Sequence, residues 1–350
     1  MKIVYLDCGM GAAGDMLTAA LLELFPDPAA MLDKLNALGL PDVRFSAEPS
    51  VKCGITGTHV TVTVHGAEED ADMHEHHHEH EHEHGNDHEH EHEHEHEHEH
   101  SHDHEHEHGH HTHTHHGLAD IEHIVKAHLD LPDSVREDVL TVFGSIAEAE
   151  SHVHGVPVTD IHFHEVGTMD AVADVTAVCF LMHALAPDAV VASPVHTGSG
   201  HVKCAHGILP VPAPATAYLL QGIPSYGGAI RGELCTPTGA ALLRRFVTRF
   251  GDMPVMRTAA IGYGMGKKDF QTANCVRAML GESMDESDTV TELSFNVDDM
   301  TAEAVGYAAD KLFQGGALEV FTVPAGMKKG RPGTLISVLC KPADEERSSG

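Results

Sequence analysis

The strongest constraint on how this chain folds is a stretch that cannot join a core. From His74 to His116, 23 histidines are interleaved with twelve glutamates and two aspartates, without Lys, Arg or any large apolar residue. Ordering a backbone costs entropy that buried apolar surface must offset. This stretch has none to bury, so it reads as a disordered loop insertion. Its composition nevertheless carries chemistry. Imidazole nitrogen at this density, with carboxylates beside it, suits borderline divalent ions, in the order that favours Ni, Cu and Zn over Mg or Ca. A solvated acidic spacer would need no histidine, so metal capture is the favoured reading.

The remainder can build an ordinary core. The chain has 350 residues, enough for one large domain and a smaller one, and 41% of them are hydrophobic. The formal net charge is −33; the tract supplies −14 of it and leaves −19 for everything else. A surface this acidic argues against nucleic acid or an anionic membrane as partner. The seven cysteines are scattered with no C-x-x-C pair, which excludes a disulfide framework and a zinc ribbon. The first residues turn polar at Asp7 and no stretch is long enough to span a bilayer, so a reduced, cytoplasmic protein without a signal peptide is expected.

The N-terminal part reads as a large α/β domain over 1–281. A short apolar strand, Ile3 to Leu6, ends at Asp7; Gly9, Gly11 and Gly14 follow, and Asp15 opens a helix. The spacing fits a dinucleotide fingerprint, but two flanking aspartates would repel a pyrophosphate, so Asp7 and Asp15 read as cation contacts, with Asp15 as a plain N-cap the equal alternative. A helix from Pro28, strands over 44–51 and 59–65, helices over 118–129 and 134–152, and a helix over 215–221 follow in order. Thr236 and Thr238 precede a further helix, read as Ala240 to Phe250, and serve it either as caps or as phosphate donors. Gly262 to Asp269 reads as a glycine-rich loop suited to an anion, and Cys275 to Leu280 as the closing strand.

The densest chemistry lies between His162 and Asp174. In an extended segment His162 and His164 share a face and can chelate one ion, with Glu165 beside them. Asp170 and Asp174 stand one turn apart on the following apolar helix. His162, His164, Glu165, Asp170 and Asp174 are thus five candidate metal ligands or proton carriers within thirteen residues, against the alternative of core-edge histidines followed by an N-cap. After a linker over 282–289, residues 290–350 read as strand, helix, strand, strand, an incomplete ferredoxin-like βαββ unit. There Asp298 and Asp299, at the strand-to-helix turn, are opposite in charge to a loop of Lys328, Lys329 and Arg331, the combination a metal–nucleotide site requires; a surface ion-pair cluster is the alternative.

These segments, together with Leu6 to Met16, Phe163 to Gly167, His206 to Thr216, Thr236 to Gly239, Asn296 to Thr301 and Met327 to Gly333, resemble the nickel insertion proteins of nickel-pincer nucleotide biosynthesis, the LarC family. The resemblance spans nearly the whole chain in the family's order. It implies a CTP-dependent nickel chelatase, or cyclometallase, of the lyase class. Its substrate would be pyridinium-3,5-bisthiocarboxylic acid mononucleotide, and its product, with two Ni–S bonds and one Ni–C bond, the cofactor of lactate racemase. It further implies Ni(II) and CTP with Mg or Mn as ligands, a homo-oligomer, and His164 or Glu165 as the base that takes the ring proton. The metal set is then His162, His164, Glu165, Asp170, Asp7, Asp15 and the tract His74 to His116; the nucleotide set is Asp298, Asp299, Lys328, Lys329 and Arg331. Members continue for half a domain beyond this C-terminus, so the chain reads as an unshifted product of a frameshifted gene or as a truncated one, its missing part a candidate partner. The rival readings are a nickel store or metallochaperone without catalysis, and a metal-dependent hydrolase.

Overall fold

A computed structural model describes residues 1–68, 117–161, 163, 168–204, 207–284 and 290–341. The His/Glu tract lies outside the described residues. The fold is mixed α/β and divides into two compact units, Met1–Met284 and Asp285–Gly350.

In chain order the first unit comprises β1 (Lys2–Asp7), α1 (Gly14–Leu22), α2 (Pro28–Asn36), β2 (Val43–Lys52), β3 (Ile55–Val64), α3 (Leu118–Ala127), α4 (Asp133–His154), α5 (Met169–Leu185) and β4 (Ala189–Ala192). Short strands follow: β5 (Val195–His196), β6 (Gly198–Ser199), β7 (His201–Cys204) and β8 (Gly207–Pro210). Then come α6 (Pro214–Leu219), β9 (Ser225–Tyr226), β10 (Gly232–Glu233), α7 (Pro237–Phe246), β11 (Arg249–Phe250), β12 (Met256–Met265) and β13 (Cys275–Ser283). Seven strands form the central sheet in the order β11-β4-β1-β13-β12-β3-β2. It is mixed: β1 runs parallel to β4 and antiparallel to β13, and β12 is antiparallel to β13 but parallel to β3.

β1 is buried along Ile3 to Leu6, as its uninterrupted apolar run requires of a strand covered on both faces. α1 is buried over nearly its whole length and lies between the sheet and α5, which is itself apolar on every side. The main core runs from β1 through these helices to α3, α4, α6 and α7.

Two expectations need correction here. The glycine-rich stretch at 262–266 is no anion loop through Met265 but the end of strand β12. Its glycines serve packing: a Cβ at Gly264 would lie 1.8 Å from the Met16 carbonyl oxygen, and one at Gly262 2.1 Å from that of Ala20. Helix α1 therefore rests on the strand backbone to backbone. Likewise α7 ends at Phe246, because Arg249 and Phe250 leave it to pair with Val191 and Ala192 of β4.

The second unit has β14 (Thr291–Val297), α8 (Ala302–Gln314), β15 (Glu319–Met327) and β16 (Arg331–Cys340), its strands antiparallel in the order β14-β16-β15. Ala317, Ile336 and Val338 form a small core of its own, with Leu293, Val305 and Leu312 packed against it. No helix among the described residues is long and apolar enough to cross a membrane.

Candidate functional site

The glycine turn between β1 and α1 is filled by protein. Gly11 has φ 81° and packs on the Leu234 carbonyl, which also accepts from Ala12 N at 3.1 Å; Thr236 N donates to Ala12 O at 3.0 Å. The turn is thus stitched to the segment entering α7, and the fingerprint reading has no room for a pyrophosphate. Thr236 acts as the cap of α7, accepting from Gly239 N at 3.1 Å.

What the stitching positions is the first turn of α1. The side chain of Asp15 opens into a cavity of about 470 Å³ whose wall also includes Asp170 and Asp174 of α5. α1 and α5 come this close because residue 14 is glycine: a Cβ there would sit 2.5 Å from Asp174 Oδ2. Asp15 is no N-cap. That position belongs to Ala13, and Asp15 Oδ1 instead accepts from Met16 N at 2.8 Å. Asp170 accepts from Ala171 N at 2.7 Å and from the Thr168 hydroxyl. Asp174 Oδ1 is buried with no hydrogen-bond partner among the described residues.

The electrostatics follow from this crowding. Burial pushes the Asp15 carboxyl above the ordinary aspartate range, against the opposing pull of the Met16 amide, His59 and Lys267. Burial, then the charges of Asp15 and Asp170, push Asp174 well above that range, with Lys267 pulling the other way. Burial holds the Cys8 thiol up to about 12 and raises Cys235 as well, so neither of these two is a ready metal ligand. Lys203, Lys267 and Lys268 also line the cavity, and the remaining walls are largely apolar, with Met16, Val60 and Phe270 among them.

Of the expected ligands, Asp15 and Asp170 meet at this cavity. His162, His164 and Glu165 lie outside the described residues, in the segment that leads into α5. Asp7 does not line the cavity: the register Asp7↔Arg277 sets its carboxylate 2.7 Å from the Arg277 guanidinium, and Oδ1 accepts from Gly9 N. Among the described residues no three His, Cys, Asp or Glu side chains are arranged to hold a metal ion. The sequence reading missed Glu150, His154 and Glu233, which also line the cavity and come from elements whose approach no local pattern signals.

In the second unit, Asp298 and Asp299 follow β14 and the turn Lys328–Gly330 joins β15 to β16, so both lie at one end of that sheet. Arg331 Nη1 approaches Asp298 Oδ2 at 3.5 Å, an exposed pair that leaves both groups accessible.

The nickel insertion protein family matches this chain over residues 4–349. The chain belongs to that family. Its relatives include proteins named pyridinium-3,5-bisthiocarboxylic acid mononucleotide nickel insertion protein. The one from Clostridium kluyveri is 39% identical over 99% of this chain and 79% of its own length, and that from Clostridium acetobutylicum 42% identical over 99% and 80%. The Geobacillus kaustophilus protein of the same name is 34% identical over 97% and 77%. No solved structure matches the chain. The nickel insertion family thus supplies the frame in which the acid-lined cavity is to be understood.

Proposed function

We propose that this family member inserts Ni(II) into pyridinium-3,5-bisthiocarboxylic acid mononucleotide, in a CTP-dependent reaction of the lyase class that yields the nickel-pincer cofactor of lactate racemase. The observation that carries this reading is the family match along residues 4–349, joined by relatives bearing that name. In it, His162, His164 and Glu165 hold the incoming nickel with Asp170, whose position at the start of α5 sets it on the cavity wall directly after them. Closing two Ni–S bonds and one Ni–C bond displaces the proton on the ring carbon. His164 or Glu165 accepts that proton.

The second unit, read as part of a ferredoxin-like fold, would hold CTP with Mg or Mn. Asp298 and Asp299 supply hard oxygen ligands, and Lys328, Lys329 and Arg331 supply the charge a triphosphate needs, and the two turns share one end of the sheet. The tract His74 to His116 gathers nickel at many weak sites and raises its local concentration. That tract also favours a second reading, a nickel store without catalysis.

Mass spectrometry of the pyridinium nucleotide after incubation with this chain, Ni(II) and CTP with Mg or Mn tests the assignment. Nickelated product that disappears with His164→Ala is the expected result. Bound nickel with no product would leave the chain a carrier.

A further inference from the structure

We propose that the cavity in Met1–Met284 is the seat of the organic substrate, with the carboxylates of Asp15 and Asp174 beneath a cationic pyridinium ring and Lys267 and Lys268 meeting its anionic groups. The inference rests on the nickel-insertion reading and names the site that takes that reaction's nucleotide.

Three features of the cavity select such a ligand. Its volume, about 470 Å³, lies within the range of small-molecule sites and is large enough for a mononucleotide. Its walls join apolar side chains, among them Val60, Val62 and Phe270, which suit a flat ring. Its polar groups are of both signs, as a ligand with a fixed positive ring and negative phosphate and thiocarboxylate groups demands.

The acidic floor is also built for a positive charge rather than merely tolerated. Asp174 lines the cavity with a buried oxygen that has no hydrogen-bond partner among the described residues, and Gly14 exists where any side chain would displace it. Asp15 and Asp174 both line the cavity, and Asp174 lies against Gly14, the residue before Asp15. Lys267 does not serve these carboxylates alone, since it is also paired with Glu68 at 3.0 Å. Among the described residues these carboxylates find no third His, Cys, Asp or Glu arranged to complete a metal site. A diffuse organic cation, which needs charge and a flat surface but no fixed coordination number, fits better.

Calorimetry on the full chain, freed of metal with a chelator, tests this with two probes: nicotinic acid mononucleotide, whose ring is a pyridinium, and uridine monophosphate, whose base is neutral. The wild-type chain is expected to bind the first more tightly. Asp174→Asn and Asp15→Asn should each weaken it about tenfold while moving uridine monophosphate less than about twofold, the signature of a lost charge opposite the ring. Thermal melts of each variant separate this from loss of the fold, and Lys268→Ala should weaken both probes alike. Equal affinity of the wild type for the two probes, or equal losses for both in the aspartate variants, would overturn the proposal. So would an Asp174→Asn chain that forms nickelated product with an unchanged half-saturating substrate concentration, while the functional reading stood. Selective pyridinium binding by a wild-type chain that forms no product would sink the functional reading and support the site.

Discussion

At the scale of single residues, Asp174 does two jobs that pull against each other. α1 has no side-chain cap of its own, and the Asp15 backbone amide, at its first turn, favours the ionised form of Asp174. Burial and the neighbouring acids oppose that ionisation. Because the folded state keeps the proton to a higher pH than the unfolded chain does, the contribution of Asp174 is full below about 3.9, the ordinary aspartate value, and is lost as pH rises through the raised folded value. Asn at this position keeps an acceptor for the amide and removes the charge. Asp174→Asn in chelator-treated protein should therefore be more stable than wild type at pH 8, by on the order of 1 kcal/mol, with the gain vanishing near pH 3. Urea titrations at the two pH values check this; a gain that is equal at both would show that charge is not its origin. Asp7 illustrates the converse. It looked like a cation contact in the sequence, yet its register with Arg277 gives it a protein counter-charge 2.7 Å away, a pairing nearly three hundred residues distant that no local pattern announces.

At the scale of elements, glycine is where sequence and structure part most clearly. Helices α1, α2, α4 and α5 were legible because apolar spacing and stop signals such as Gly155, left-handed at φ 66°, mark them locally. Strand β12 was not, since Gly262, Gly264 and Gly266 imitate a turn, and only the presence of α1 on top of Gly262 and Gly264 reveals why a side chain is excluded there. The same distinction predicts opposite outcomes for one substitution. Gly264→Ala should cost about 2–4 kcal/mol, as its Cβ would overlap the Met16 backbone. Gly144→Ala, within α4 and with nothing within 4 Å of the added carbon, should stabilise by about 0.5–1 kcal/mol. Denaturant midpoints read both. The candidate site divides in the same way: Asp15, Asp170 and Asp174 stand at helix starts that the pattern identifies, whereas Glu233 and His154 reach the cavity only through tertiary packing.

At the scale of the whole molecule, two units with separate cores carry the acid-lined cavity and the acid–base turn pair respectively. Residues 1–284 produced alone should unfold in one cooperative transition by calorimetry, because the central sheet is complete within them. Removing His74 to His116 brings the formal charge to −19 and takes away none of the described core. If the tract only concentrates the metal, its deletion should raise the nickel needed for half-maximal product roughly tenfold without abolishing turnover. Complete loss of product would favour the store.

The order in which β1 finds its neighbours has a consequence for synthesis. Of the described strands β1 comes first in the chain and sits in the middle of the sheet, and its antiparallel partner, joined from Lys2↔Glu282 to Asp7↔Arg277, is the last described strand of its unit. At roughly 5–20 residues per second, tens of seconds separate the two. Throughout that interval β1 has an open edge; the turn that carries Asp15 has nothing to be stitched to until Leu234 and Thr236 are made, and the histidines at 74–116 are made well before them. The nascent chain can thus gather metal before it owns a place to use it.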